Sequence, residues 1–171
     1  MMSRTMSLSV TPLVAALLVL GGMVCCVDNA AAAPQYLERV ESPVYETEGD
    51  HQAISRRALT CIAQIVRPGL TDAPTVLSSD LDAGVIVANN AFKVTTGLFD
   101  ADARTTLTFE AKDGRFRITH TNVEQFLDAH YGWTAVPTAR LSLGDKVQAG
   151  AQLISEHIAA CVMGKSPSNN W

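Results

Sequence analysis

Cys61, Cys161 and His157 are the residues whose types and spacing come nearest to a chemical site. His157 and Cys161 stand four apart and share a face if their segment is helical. With Cys61 opposite, they would offer three ligands soft enough for zinc, but no fourth ligand has a matching spacing. Two other fates use the same sulfurs. In an oxidising compartment the thiols can join as a disulfide; otherwise each is a small apolar side chain suited to a core. No metal site is therefore expected, and a Cys61–Cys161 disulfide stands against a pair of buried thiols.

Nucleophilic catalysis would need a serine or cysteine beside a base. His51, His120, His130 and His157 are scattered along the chain, and no serine lies in a G-x-S-x-G context. Asp80 and Asp82 could face a cation, but a solvated turn is the better explanation of both. No glycine-rich phosphate loop is present. No catalytic residue and no cofactor is expected, and the chain reads as non-enzymatic. The net charge is −4 and the arginines are dispersed. A nucleic-acid partner, which requires a clustered basic footprint, is not expected.

The elements that must position any site are organised around residues 105–123. Apolar and polar residues alternate there, with the period of half-buried strands. Asp113-Gly114 interrupts the alternation, and this dipeptide favours a two-residue type I′ turn. That turn sets Lys112 against Arg115, Glu110 against Arg117, Phe109 against Ile118, Thr108 against Thr119 and Leu107 against His120. One face then carries Leu107, Phe109, Ala111, Phe116 and Ile118. The other carries Thr106, Thr108, Glu110, Arg117, Thr119 and Thr121. A slip of one residue would put the apolar set in water, so the register is well specified. The polar face is the candidate recognition surface.

The N-terminus has the order of a secretory signal. Arg4 is the charged lead, Leu13 to Val27 is uncharged and mostly apolar, and Ala30 to Ala33 offers small-residue cleavage sites, most favourably after Ala32. Residues 1–32 are thus expected to be removed, leaving no transmembrane segment in the mature chain. Val24 before Cys25, and Cys25 before Cys26, are poor contexts for lipid attachment. A periplasmic or secreted protein is expected ahead of a lipoprotein.

Residues 33–165 are expected to form a single domain, with 166–171 as a disordered tail. Tyr36 to Val40 reads as a first strand. Asp50 can cap a helix from His51 to about Val66, whose stripe is Ile54, Ala58, Cys61 and Ile65. Arg67-Pro68 ends it. Thr75 to Ser79 and Val85 to Asn89 form a first hairpin, and Gly97 to Arg104 reads as a connection to the central one. Glu124 to His130 suggests helical turns. Ser142, with Asp145 three residues on, signals the start of a second helix. Its stripe is Val147, Ala151, Ile154, Ile158 and Cys161, and Gly150 beside the stripe allows close approach to a neighbour. Two helices can cover one face of such a sheet. The expected architecture is α+β: an antiparallel, curved, five-stranded sheet with both helices on one face, in the order β-α-β-β-β-β-α.

This order, with Asp82-Ala-Gly-Val-Ile86 in one hairpin and Thr108-Phe-Glu-Ala-Lys-Asp-Gly-Arg-Phe-Arg117 in the next, resembles a bacterial envelope family of unknown function with a TBP-like fold. The resemblance runs from about Glu41 to Met163. It departs from the family pattern in lacking an aromatic residue near the end of the first helix, and residues 91–102 have no counterpart in it. It implies secretion and a curved sheet, and it brings no catalytic residues. The functional expectation is an envelope domain that binds a small molecule, peptide or protein partner. The alternatives are a structural domain that self-associates and a hydrolase with an unrecognised site.

Overall fold

Asp50 starts the first helix as its sequence requires. Its carboxylate accepts from the Ala53 N–H at 2.7 Å, satisfying one of the donors that open a helix. Helix α1 runs His51–Ile65 and ends at Val66, whose backbone is extended (φ −82°, ψ 139°) ahead of Arg67-Pro68. The computed structural model describes residues 35–69, 73–95, 97, 100–138 and 143–165. These all lie in one compact unit, Ala33–Trp171. The expected signal segment, the expected tail (166–171) and the capping serine Ser142 fall outside the described residues.

Among the described residues seven strands build the sheet: β1 (Arg39–Glu41), β2 (Tyr45–Glu46), β3 (Val76–Asp80), β4 (Val85–Thr95), β5 (Asp100–Lys112), β6 (Arg115–Phe126) and β7 (Trp133–Ala135). Helix α2 (Gly144–Val162) closes the order. The sheet is antiparallel and open, in the order β1-β6-β5-β4-β3, with β2 and β7 also bordering β6. The α+β architecture is the expected one, with seven strands in place of five. The N-terminal strand falls into two pieces on either side of Pro43, because a proline cannot donate to a ladder. β7 is an addition.

Two segments read differently in the sequence. Residues 124–126 continue β6 rather than turning helically, because they are held by β5 on one side and β7 on the other. Asp100 to Arg104 is strand rather than connection, paired to β4 in continuous register from Thr95↔Asp100 to Val85↔Glu110. α2 also opens differently: Leu143 is its N-cap and makes no side-chain cap bond.

The central hairpin has the expected register throughout, from Lys112↔Arg115 to Thr106↔Thr121. Its turn is not type I′, however, since only Gly114 takes a positive φ (+75°). The turn is latched to the approach to α1 instead. Gly114 N–H donates to Gly49 O at 3.0 Å and Gly114 O accepts from Thr47 N–H at 2.9 Å, while the Asp113 carboxylate accepts from the His51 N–H at 2.9 Å.

Both helices pack on the face carrying Leu107, Phe109, Phe116 and Ile118, forming the main core with Ile54, Ile62 and Ile158. A smaller core lies around Val147: Val94, Ala103, Val123 and Val136. Gly150 permits the close approach foreseen for it, since a Cβ there would lie 2.6 Å from Phe92 Cε2. Cys61 and Cys161 are joined as a disulfide, with Cα atoms 5.9 Å apart, and tie α1 to α2.

Candidate functional site

Past Thr121 the hairpin changes phase. Thr106 faces Thr121, yet Arg104 faces Glu124, so β6 carries one extra residue. Asn122 takes it up with φ +50°, which an asparagine tolerates better than most residues. This bulge keeps Val123 on the core side and brings Glu124 to the open face opposite Arg104. The sheet is also interrupted here. Beyond β1, the N-terminal segment leaves β6 and bonds instead to the chain after β7, with Leu37 N–H donating to Val136 O at 2.8 Å.

A cleft of about 650 Å³ occupies this interruption. Its open-face residues are Asn89, Arg104, Thr106, Asn122 and Glu124, with Tyr36 and Glu38 on one side and Pro68 and Ala73 on the other. The side chains are held in place. Arg104 Nε donates to Glu124 Oε2 at 2.6 Å, and its guanidinium lies 4.4 Å from the centre of the Trp133 ring. Asn122 Nδ2 donates to Thr106 Oγ1 at 3.1 Å, and Asn89 Nδ2 to Pro74 O at 3.3 Å. The size is that of a small-molecule site.

The expected recognition face is divided by this geometry. All six of its residues lie on the open side of the β5–β6 hairpin, but only Thr106 reaches the large cleft. Glu110 and Arg117 pair at 2.7 Å and border a shallower hollow of about 230 Å³. The Arg117 pKa is raised first by its hydrogen bond to Glu110. Thr119 is buried beside β1, with no partner for its hydroxyl. Thr121 points its hydroxyl at Thr106 O, 3.5 Å away.

The same face repeats one device. Lys93 and Asp102 stand opposite one another at 3.6 Å, Arg104 and Glu124 at 2.6 Å, and Arg117 and Glu110 at 2.7 Å. Each of these three cations has a carboxylate directly across the strands.

His51 and His120 are structural in their surroundings. His51 bridges two hairpin turns, with Nδ1 2.9 Å from Asp113 Oδ1 and Nε2 3.0 Å from Asp82 O. Both partners are acceptors, so the imidazolium satisfies both, and the hydrogen bond to Asp113 leads in raising the His51 pKa. That same bond lowers the pKa of Asp113.

His120 is fully buried. Ser155 Oγ donates to Ala151 O at 3.1 Å, so it accepts from His120 Nε2–H at 3.0 Å. Nδ1 is then the acceptor, taking the Thr105 hydroxyl at 3.0 Å, and Thr105 Oγ1 accepts from Asn90 Nδ2 at 3.2 Å. With the ring kept neutral by burial, the chain of bonds runs in one direction, from Asn90 through Thr105 and His120 to Ser155, with the imidazole protonated on Nε2. Burial lowers the His120 pKa to about 4. Serine and histidine are thus in contact, but at 1% and 0% exposure no substrate reaches them.

Asp80 and Asp82 do not form an open carboxylate pair. Asp80 Oδ1 accepts from the Asp82 and Ala83 N–H groups, and Asp82 Oδ1 accepts from Gln52 Nε2. Among the described residues no group of three His, Cys, Asp or Glu side chains could hold a metal. The zinc alternative at His157 loses its sulfur ligands to the disulfide.

No protein-family model matches the chain, and no curated protein matches it. Solved structures do. A DUF4468 family protein from Bacteroides ovatus superposes with TM-score 0.56 at 10% identity, over 82% of this chain and 95% of that one. A TBP-like protein from Parabacteroides distasonis does so with TM-score 0.56 at 8% identity, over 75% and 94%. The fold is therefore the TBP-like α+β fold, and at these identities the likeness concerns the fold alone.

Proposed function

We propose that the protein is an exported, non-enzymatic binding domain whose ligand sits in the cleft at the β6 bulge. The observation that carries this reading is the cleft itself. It is bounded by six separate stretches of chain, and the side chains of Asn89, Arg104, Thr106, Asn122 and Glu124 are fixed by internal bonds before any ligand arrives, which lowers the ordering cost of binding. Export is supported by the signal-like N-terminus and by a disulfide that belongs to oxidising compartments. No helix among the described residues is long and apolar enough to cross a membrane.

The test is a nuclear magnetic resonance screen of a mixed fragment library against the oxidised protein and its Thr106→Tyr variant. Tyrosine keeps strand propensity and obstructs the cleft. Shifts clustered on Asn89, Arg104 and Asn122 that vanish in the variant support the reading. A screen with no cluster there, or one indifferent to Thr106→Tyr, overturns it.

A further inference from the structure

The chemistry of the cleft narrows its ligand, given the binding reading above. Charge comes first. Arg104 is neutralised by Glu124 at 2.6 Å, which leaves no unmatched cation among the cleft residues for a phosphate or carboxylate. The remaining charged group at the margin is Glu38. One carboxylate disfavours an anionic ligand and is too few for a cation cage. The occupant that fits is neutral.

Hydrogen-bonding character comes second. Asn89, Asn122 and Thr106 each carry both donor and acceptor capacity. One N–H of each asparagine is spent within the protein, which leaves the amide oxygens as acceptors, together with the second N–H groups. The Glu124 carboxylate adds acceptor capacity. Such a set suits a ligand whose groups donate and accept from the same atom, as hydroxyls do.

Shape comes third. Tyr36 stands at the margin of the cleft and is 48% exposed, so it offers a ring to an apolar surface. The C–H face of a pyranose is such a surface, and its polarised hydrogens match the negative face of an aromatic ring. Pro68 and Ala73 opposite it are small and apolar. A volume of about 650 Å³ accommodates more than one sugar ring.

We infer that the cleft at the Asn122 bulge binds a neutral saccharide, with Tyr36 under a sugar ring and Asn89, Thr106, Asn122 and Glu124 on its hydroxyls. The same chemistry is found in a soluble oligosaccharide and in a strand of cell-wall glycan.

The experiment titrates the ¹⁵N-labelled, disulfide-bonded protein with N,N′-diacetylchitobiose, cellobiose and maltose. Glucose 6-phosphate and spermidine serve as charged comparators. The expected result is a saturable shift of Asn89, Arg104, Thr106 and Asn122 with at least one neutral disaccharide. Tyr36→Ala should weaken that binding at least tenfold without lowering the unfolding midpoint. Thr106→Tyr should abolish it. Co-sedimentation with purified peptidoglycan then separates the two sources: retention points to wall glycan, and absence of retention with a positive titration points to a soluble sugar. If a charged comparator binds in the cleft and all three neutral sugars fail, the saccharide inference falls while the binding reading stands. If nothing in this panel or in the fragment library shifts the cleft, both fall.

Discussion

The His120 imidazole and the Ser155 hydroxyl meet at 3.0 Å across the interface between sheet and helix α2. Thr105 meets the other ring nitrogen, and burial keeps the ring between them neutral. The unfolded chain protonates this histidine below about 6.5, whereas in the fold its pKa is lowered to about 4. Between those values the unfolded state holds the extra proton, so stability falls as pH falls, by about 1.4 kcal/mol per pH unit and roughly 3 kcal/mol in all. Urea unfolding across pH 7 to 5 should show this slope, and His120→Gln should flatten it at the cost of a lower plateau.

His51 acts with the opposite sign. Its pKa is raised by Asp113, so its contribution is present at low pH and is lost as pH rises through its folded value. The side chain is part-exposed, and the effect is the smaller of the two. In the same urea series His51→Gln should steepen the acid loss seen in the parent protein. A flatter profile would contradict the assignment.

How far these features were legible from residues alone follows from where they are encoded. The central register was legible because a two-residue Asp113-Gly114 turn and a strict alternation leave one pairing that buries Phe109 and Ile118 together. The helices were legible from their stripes, and the cysteines from lying on both stripes. The cleft was not. Asn122 signals a bulge only once Val123 is known to be in the core, and an unbroken register would have set Arg104 against Val123. Tyr36, Asn89, Arg104 and Asn122 come from four distant stretches with no local motif. Residues 124–126 have helix-forming types, and pairing on both sides overrode that preference.

Removing the disulfide should be costly. Cys61 and Cys161 are 100 residues apart in sequence, and closing such a loop removes about 4.7 kcal/mol of unfolded-state entropy in the chain model, with native bridges commonly contributing 2–5 kcal/mol. The double variant Cys61→Ala/Cys161→Ala should unfold at correspondingly lower urea. Two alkylatable thiols in the denatured, unreduced parent protein would show that no bridge forms.

Gly150 tests the contact between α2 and β4. Alanine gains about 1 kcal/mol of helix propensity over glycine, but its Cβ would meet the Phe92 ring at 2.6 Å and lie 3.5 Å from Val94 Cγ1. Overpacking of this kind costs about 1–3 kcal/mol. Gly150→Ala should therefore be neutral to destabilising in the parent. In a Phe92→Leu background, where the ring is gone, it should become stabilising. A double-mutant cycle with no coupling would mean the two residues do not touch.

The two cross-strand arginines distinguish the hairpin face expected from the residues from the cleft formed by the fold. Arg117 pairs with Glu110 at 2.7 Å beside the shallow hollow; Arg104 pairs with Glu124 at 2.6 Å in the cleft and stacks on Trp133. Arg117→Glu sets two carboxylates opposite one another on an exposed face, where water screens them, so the fold should survive with a small loss of stability. Arg104→Gln also loses an ion pair, together with a cation–π contact of roughly 0.5–1 kcal/mol, and it frees Glu124 to carry an unmatched charge into the cleft. A ligand found by the screen should bind Arg117→Glu as it binds the parent and bind Arg104→Gln several-fold more weakly. The reverse order, with Arg117→Glu the damaging change, would move the binding site to the far end of the open face, where Glu110 and Arg117 lie.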